Sequence, residues 1–125
     1  MANKCMLVVD DEEDIREIAQ LSLEAVGGWQ VCTAQSGSEG LISAECQQPD
    51  AILLDVMMPG MDGLSTLEKL RANPLTKNIP VIFLTAKDKL LNRDKLAQMQ
   101  VKGIIPKPFD PMNLAKQVAQ LLSYG

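Results

Sequence analysis

Four short apolar runs punctuate the chain, and each ends on a residue with chemistry of its own. Leu7-Val8-Val9 leads into Asp10-Asp11, and Ala51-Ile52-Leu53-Leu54 leads into Asp55. Val81-Ile82-Phe83-Leu84 leads into Thr85, and Gly103-Ile104-Ile105-Pro106 into Lys107. Unbroken runs rich in Val, Ile and Leu read as strands buried on both faces of a parallel sheet. A weaker run, Gln30 to Thr33, supplies a fifth strand. Pro106 assigns the last strand to a sheet edge, where a missing donor costs little.

Between the runs the periodicity turns helical. Ile15, Ile18, Ala19, Ser22, Ala25 and Val26 share helical spacing over about 14–26, and Gly27-Gly28 stops that helix. Ser36 with Glu39 forms a capping-box pattern for the second helix, and Pro49-Asp50 turns the chain into the next strand. A turn-rich loop, Met57-Met58-Pro59-Gly60-Met61-Asp62-Gly63, precedes a helix carrying Leu64, Leu67 and Leu70 that Asn73-Pro74 ends. Between Asp88 and Met99, Leu90, Leu91, Leu96 and Met99 make no single stripe, so a weakly anchored helix is expected there. The last helix is expected to open with Asp110 as N-cap and Pro111 in its first turn, burying Leu114, Val118, Leu121 and Leu122. Strand and helix alternate five times, the signature of a doubly wound α/β fold.

At 125 residues the chain is read as one domain, 1–125, large enough to bury a core without disulfide or metal staples. No run is long enough for a signal peptide or a membrane span, so a cytoplasmic location is expected. Cys5, Cys32 and Cys46 form an odd set without metal-site spacing and are expected to be small buried hydrophobes. Histidine is absent, so any phosphohistidine chemistry must come from a partner. The net charge of -4 hides an asymmetry: residues 1–62 hold 12 acids and 2 bases, and 63–125 hold 4 acids and 10 bases. The acidic half suits a cation. The basic run through Lys87, Lys89, Arg93, Lys95 and Lys102 is either a solvated face or a surface for an acidic protein.

In open α/β sheets the functional crevice lies beyond the carboxyl ends of the strands, at the switch point. Asp10, Asp11, Asp55, Thr85 and Lys107 therefore converge. Singly, each has a plain structural explanation: acids at a helix N-terminus, a turn residue, an N-cap, a solvated lysine. Jointly they do not, because two carboxylates about 4–5 Å apart repel by about 3–4 kcal/mol at an effective dielectric near 20. A hard divalent ion such as Mg²⁺, bound by one or two carboxylates, relieves that repulsion and keeps waters to exchange for a phosphate. Asp55 then becomes a plausible nucleophile toward phosphorus, with the cation and Lys107 offsetting charge on the phosphoryl oxygens.

The acidic pair Asp10-Asp11, Asp55 with residues 57–63, Thr85-Ala86 and Lys107-Pro108-Phe109 together resemble the receiver domain of two-component response regulators. The resemblance spans the whole chain. It implies a five-stranded parallel sheet of flavodoxin-like order 2-1-3-4-5, the order known for chemotaxis receivers, with helices on both faces. It implies that Asp55 is the phosphoacceptor and that Asp11, Asp55 and the Met57 carbonyl ligate Mg²⁺, with Asp10 acting through water. Thr85 becomes the switch hydroxyl, Lys107 the phosphate-sensing lysine, and the Lys107-Pro108 bond cis. The implied partners are a sensor histidine kinase or phosphotransfer protein and a downstream protein reading the 86–109 face. The implied role is signalling rather than metabolite turnover, without nucleic-acid binding by this domain alone and without membrane insertion.

One position departs from the pattern: many receivers carry an aromatic residue three before the lysine, and Ile104 stands there. The resemblance also implies that the positions two after the acceptor and two after the switch Thr flank the path of attacking water; here they are Met57 and Lys87, neither suited to orienting a nucleophile. Three other readings share the fold class. A flavodoxin-like FMN carrier would present donors rather than five acids, Asp10 to Asp14, in its first loop. An aspartyl-phosphate hydrolase of the haloacid dehalogenase kind would carry an Asp where Met57 stands. A pseudo-receiver would keep the fold as an unphosphorylated interaction module.

Overall fold

The computed structural model describes residues 4–58, 60–86, 98 and 100–123. Five strands form one parallel sheet: β1 (Cys5–Val9), β2 (Gln30–Ala34), β3 (Ala51–Asp55), β4 (Val81–Ala86) and β5 (Val101–Lys107). Their order is β2-β1-β3-β4-β5, so the chain reverses direction of winding between β1 and β3. The expected order stands, and β5 is an edge strand, as Pro106 required. Four helices are described: α1 (Glu13–Ala25), α2 (Gly37–Gln47), α3 (Gly63–Ala72) and α4 (Leu114–Ser123). The helix expected between Asp88 and Met99, and most of the basic run from Lys87, lie outside the described residues.

Strand side chains alternate between two cores. Leu7, Val9, Ile52, Leu54, Val81 and Phe83 pack with Ala44 of α2 and Leu67 and Leu70 of α3. Met6, Val8, Leu53, Ile82, Leu84 and Ile105 pack on the opposite face with Ala19 and Leu23 of α1 and Leu114 and Val118 of α4. Nearly every central-strand residue is buried, which is why the strands read as continuous apolar runs rather than alternating ones.

Local chemistry sets the helix ends. The Ser36 side chain accepts from the Glu39 amide at 3.1 Å, confirming half of the capping box. The Asp62 carboxylate accepts from the Ser65 amide at 2.8 Å and starts α3. Gly28 adopts φ +71, which lets the Trp29 amide bond back to the Leu23 carbonyl after α1.

Three expectations need correction. The buried stripe of α1 is Ala19, Ser22 and Leu23, whereas Ile18 and Val26 are exposed. Helical spacing admits several stripes, and the sheet selects the one that Leu23 anchors. The Asp110 carboxylate accepts from the Met112 amide at 2.9 Å and so caps the turn before the last helix, whereas α4 itself begins at Leu114. The intervening turn is tighter, with the Asn113 amide bonding the Asp110 carbonyl, and Leu121 and Leu122 are only partly buried. The cysteines are not core residues: Cys5 and Cys32 are partly exposed on β1 and the edge strand β2, and Cys46 is exposed on α2.

Candidate functional site

The sheet register brings the chemistry-bearing residues to one end. Val9 pairs with Leu54, so Asp10 and Asp55 leave adjacent strands at neighbouring levels. Asp55 pairs with Leu84, placing Thr85 one step beyond it, while Thr85 and Ala86 pair with Pro106 and Lys107. The Asp10 amide donates to the Ala34 carbonyl at 3.1 Å, so β2 also fixes the acidic corner.

Asp10 and Asp55 are 0% and 2% exposed, whereas Asp11 lies at the surface. One carboxylate oxygen from each of the three falls within 4.8 Å of the others. The Asp10 Oδ1 accepts from the Glu12 amide at 2.9 Å, and the Asp55 Oδ1 accepts from the Met57 amide at 3.1 Å. Asp55 Oδ2 is buried and accepts no hydrogen bond from the described residues. The Lys107 ammonium sits 2.8 Å from Asp10 Oδ2, 3.4 Å from Asp55 Oδ1 and 3.5 Å from Glu12. The Asp10 contact is a charge pairing outside hydrogen-bond alignment.

Electrostatics follow this geometry. Burial and then the Asp10 charge push the Asp55 carboxyl up from 3.8 to about 7, against the opposing pull of Lys107 and the Met57 amide. Burial alone would lower Lys107, but its contact with Asp10 and the charges of Asp10, Asp55 and Glu12 outweigh it and raise its pKa. Two buried carboxylates sharing one ammonium leave the pocket short of positive charge. The orphaned Asp55 oxygen and the hard oxygen donors of Asp10 and Asp11 are a donor set that could hold a divalent cation.

All the expected residues reach this end of the sheet, though not equally. Asp10, Asp11, Asp55 and Lys107 form the cluster itself, and Thr85 is buried at the end of β4. Met57 follows Asp55 by two residues, with its side chain about half exposed (53%). The Lys107-Pro108 bond is cis, as expected. Ile104 pairs with Phe83 and packs against the α2–α3 core. Sequence reasoning missed Glu12 and Arg16. Arg16 Nη1 donates to the Asp10 carbonyl at 2.9 Å and ties the acidic loop to α1. A base in the first turns of a helix opposes the macrodipole, and that misfit was a usable signal.

Residues 6–119 match the model of the response regulator receiver domain. The chain belongs to that family. As a receiver it is 39% identical over 120 residues to the alkaline phosphatase synthesis transcriptional regulatory protein PhoP of Bacillus subtilis, covering 96% of this chain and 49% of that protein. It is 38% identical over 119 residues to the response regulator PleD of Caulobacter vibrioides, covering 95% of this chain and 26% of that one. Its backbone is similar to chemotaxis protein CheY4 of Vibrio cholerae, with TM-score 0.87 and 30% identity over 96% of this chain and 99% of that chain. The receiver thus spans about half or less of these two regulators. Family membership displaces the flavin-carrier and hydrolase readings. No helix among the described residues is long and apolar enough to cross a membrane.

Proposed function

We propose that this receiver is one phosphoacceptor domain, taking a phosphoryl group from a partner's phosphohistidine onto Asp55. The observation that carries the reading is the Asp55 carboxylate: 2% exposed, at the end of β3, with one oxygen unbonded and an ammonium 3.4 Å from the other. An aspartate placed there can attack phosphorus while the P–N bond to the donor imidazole breaks. Lys107 offsets charge that builds on the phosphoryl oxygens, and Thr85 supplies a hydroxyl at the neighbouring strand end. Asp11, Asp55 and the Met57 carbonyl would hold Mg²⁺, with Asp10 acting through water. A bound Mg²⁺ ion supplies positive charge to the transferring group and lowers the repulsion between the acids.

The added charge of about -1.5 to -2 then competes for Lys107 and Thr85. Their movement alters the 86–109 face, which an acidic downstream protein reads in this proposal; residues 87–97 and 99 of that face lie outside the described residues. The kinase or phosphotransfer protein, that downstream partner and a cytoplasmic setting belong to the same proposal. Intact acid pairing around Lys107 favours this reading over a pseudo-receiver.

The test is labelling with a small phosphodonor and Mg²⁺. Intact mass should show one added phosphoryl group on the wild-type chain and none on Asp55→Asn. Equal labelling of that variant ends the acceptor assignment. An unlabelled wild-type chain restores the pseudo-receiver.

A further inference from the structure

The Cys5 and Cys32 sulfurs lie 3.4 Å apart, close enough for one thiol to donate to the other. Neither belongs to the acidic site, which stands at the opposite end of β1 from Cys5. The two strands run parallel with Cys5 opposite Gln30 and Leu7 opposite Cys32, so the cysteines form a diagonal pair on one face of the sheet. That face is the α2–α3 side, where Cys32 packs against the core containing Leu7 and Val9. Both residues are partly exposed, and β2 is the outermost strand, so a small oxidant reaches them without unfolding the core. Cys46 is exposed on α2 and has no such sulfur neighbour among the described residues.

We propose that Cys5 and Cys32 are a peroxide-oxidisable dithiol that closes into a disulfide joining edge strand β2 to β1. Peroxide first converts one thiol to a sulfenic acid, its O–O bond breaking and one water leaving. The second sulfur then attacks the sulfenic sulfur; the S–S bond forms, the S–O bond breaks, and the departing hydroxide leaves as water with the second thiol's proton. Overall, two thiols lose two electrons and two protons, and one peroxide becomes two waters. Burial, the contact with the Cys32 sulfur and charge, including that of Asp50, push the Cys5 thiol up to about 11. A thiol held protonated is a poor nucleophile, so Cys5 reacts slowly whichever of the two steps it takes.

Closure encloses α1 within a covalent loop of residues 5–32 and fastens β2 two residues before Ala34, whose carbonyl receives the Asp10 amide. The oxidised chain should therefore show slower amide exchange along 30–34 than the reduced chain.

The experiment treats the full chain with stoichiometric hydrogen peroxide, blocks remaining thiols with iodoacetamide and maps the digest by mass. The expected product is a linked peptide pair containing Cys5 and Cys32, with Cys46 alkylated, and reductant releases the link. Cys46→Ser should retain the link; Cys5→Ser and Cys32→Ser should each lose it. Alkylation of all three cysteines after peroxide overturns the proposal, and so does a link that requires Cys46 or joins two chains.

Discussion

Replacing Asp55 with Asn should make the metal-free protein more stable, and more so as pH rises. A carboxyl raised from 3.8 to about 7 by folding binds its proton about a thousandfold more tightly in the folded state, equivalent to about 4 kcal/mol. The group is 2% exposed, so solvent does little to screen that difference. Its stabilising contribution is full below about pH 4 and is lost as pH climbs through about 7, because the folded chain must then hold an unwanted buried charge. The Asn variant escapes that loss while leaving the 2.8 Å pairing of Lys107 with Asp10 in place. The ceiling on its advantage is about 2 kcal/mol near pH 5 and about 4 kcal/mol near pH 8; relaxation of the site brings the expected gain to roughly half of each. Urea unfolding in chelator at both pH values measures it. Saturating Mg²⁺ should then erase the gap by stabilising the wild type, by about 2.7 kcal/mol at a hundredfold excess over its dissociation constant. An Asn variant no more stable than wild type near pH 8 in chelator, or equally favoured at both pH values, refutes the reasoning.

Lys107→Ala strips the shared ammonium from two buried carboxylates and should cost about 3 kcal/mol in metal-free urea unfolding; a cost below about 1 kcal/mol would contradict the pairing. A Cβ on Gly63 would stand 2.5 Å from the Asp55 carbonyl oxygen and 2.6 Å from the Val56 Cα, so Gly63→Ala should destabilise by about 2–3 kcal/mol and slow labelling of Asp55. Gly60→Ala meets open space and only the strain of φ +79, so thermal unfolding should show a loss of about 1 kcal/mol. A Met57→Asn, Lys87→Glu double variant should lose its phosphoryl group faster than wild type, because polar side chains there can hold an attacking water in line; equal decay rates would refute this. Beryllium fluoride should change amide exchange across residues 86–109 as well as around 10–14 and 55–62; changes confined to the latter would move the output surface elsewhere.

The strands were legible because a sheet covered on both faces leaves its central strands uniformly apolar, and the residue ending each run could be read directly. Gln30–Ala34 was harder to place, since an edge strand is only half covered and its pattern is diluted. For α1 the sequence offered several equivalent stripes, and only packing against β1 could choose Leu23 over Ile18 and Val26. The convergence of Asp10, Asp55 and Lys107 was predictable from strand order, but the order itself came from family resemblance. How charge is shared within the pocket was not legible at all. The 2.8 Å approach of Lys107 to Asp10, closer than its approach to Asp55, depends on side-chain reach across three strands. The cysteines misled because type alone argues for burial, whereas sheet position decides exposure.

The sheet is a single layer of backbone separating two cores that share no side chains. Substitutions on the α1–α4 side and on the α2–α3 side should therefore accumulate almost independently, since side chains without common neighbours add in their effects. Such a chain can drift, or be redesigned, one face at a time. That freedom stops at the carboxyl edge, where Asp10, Asp55 and Lys107 answer to one another directly and a change in any of them alters the charge balance of the other two.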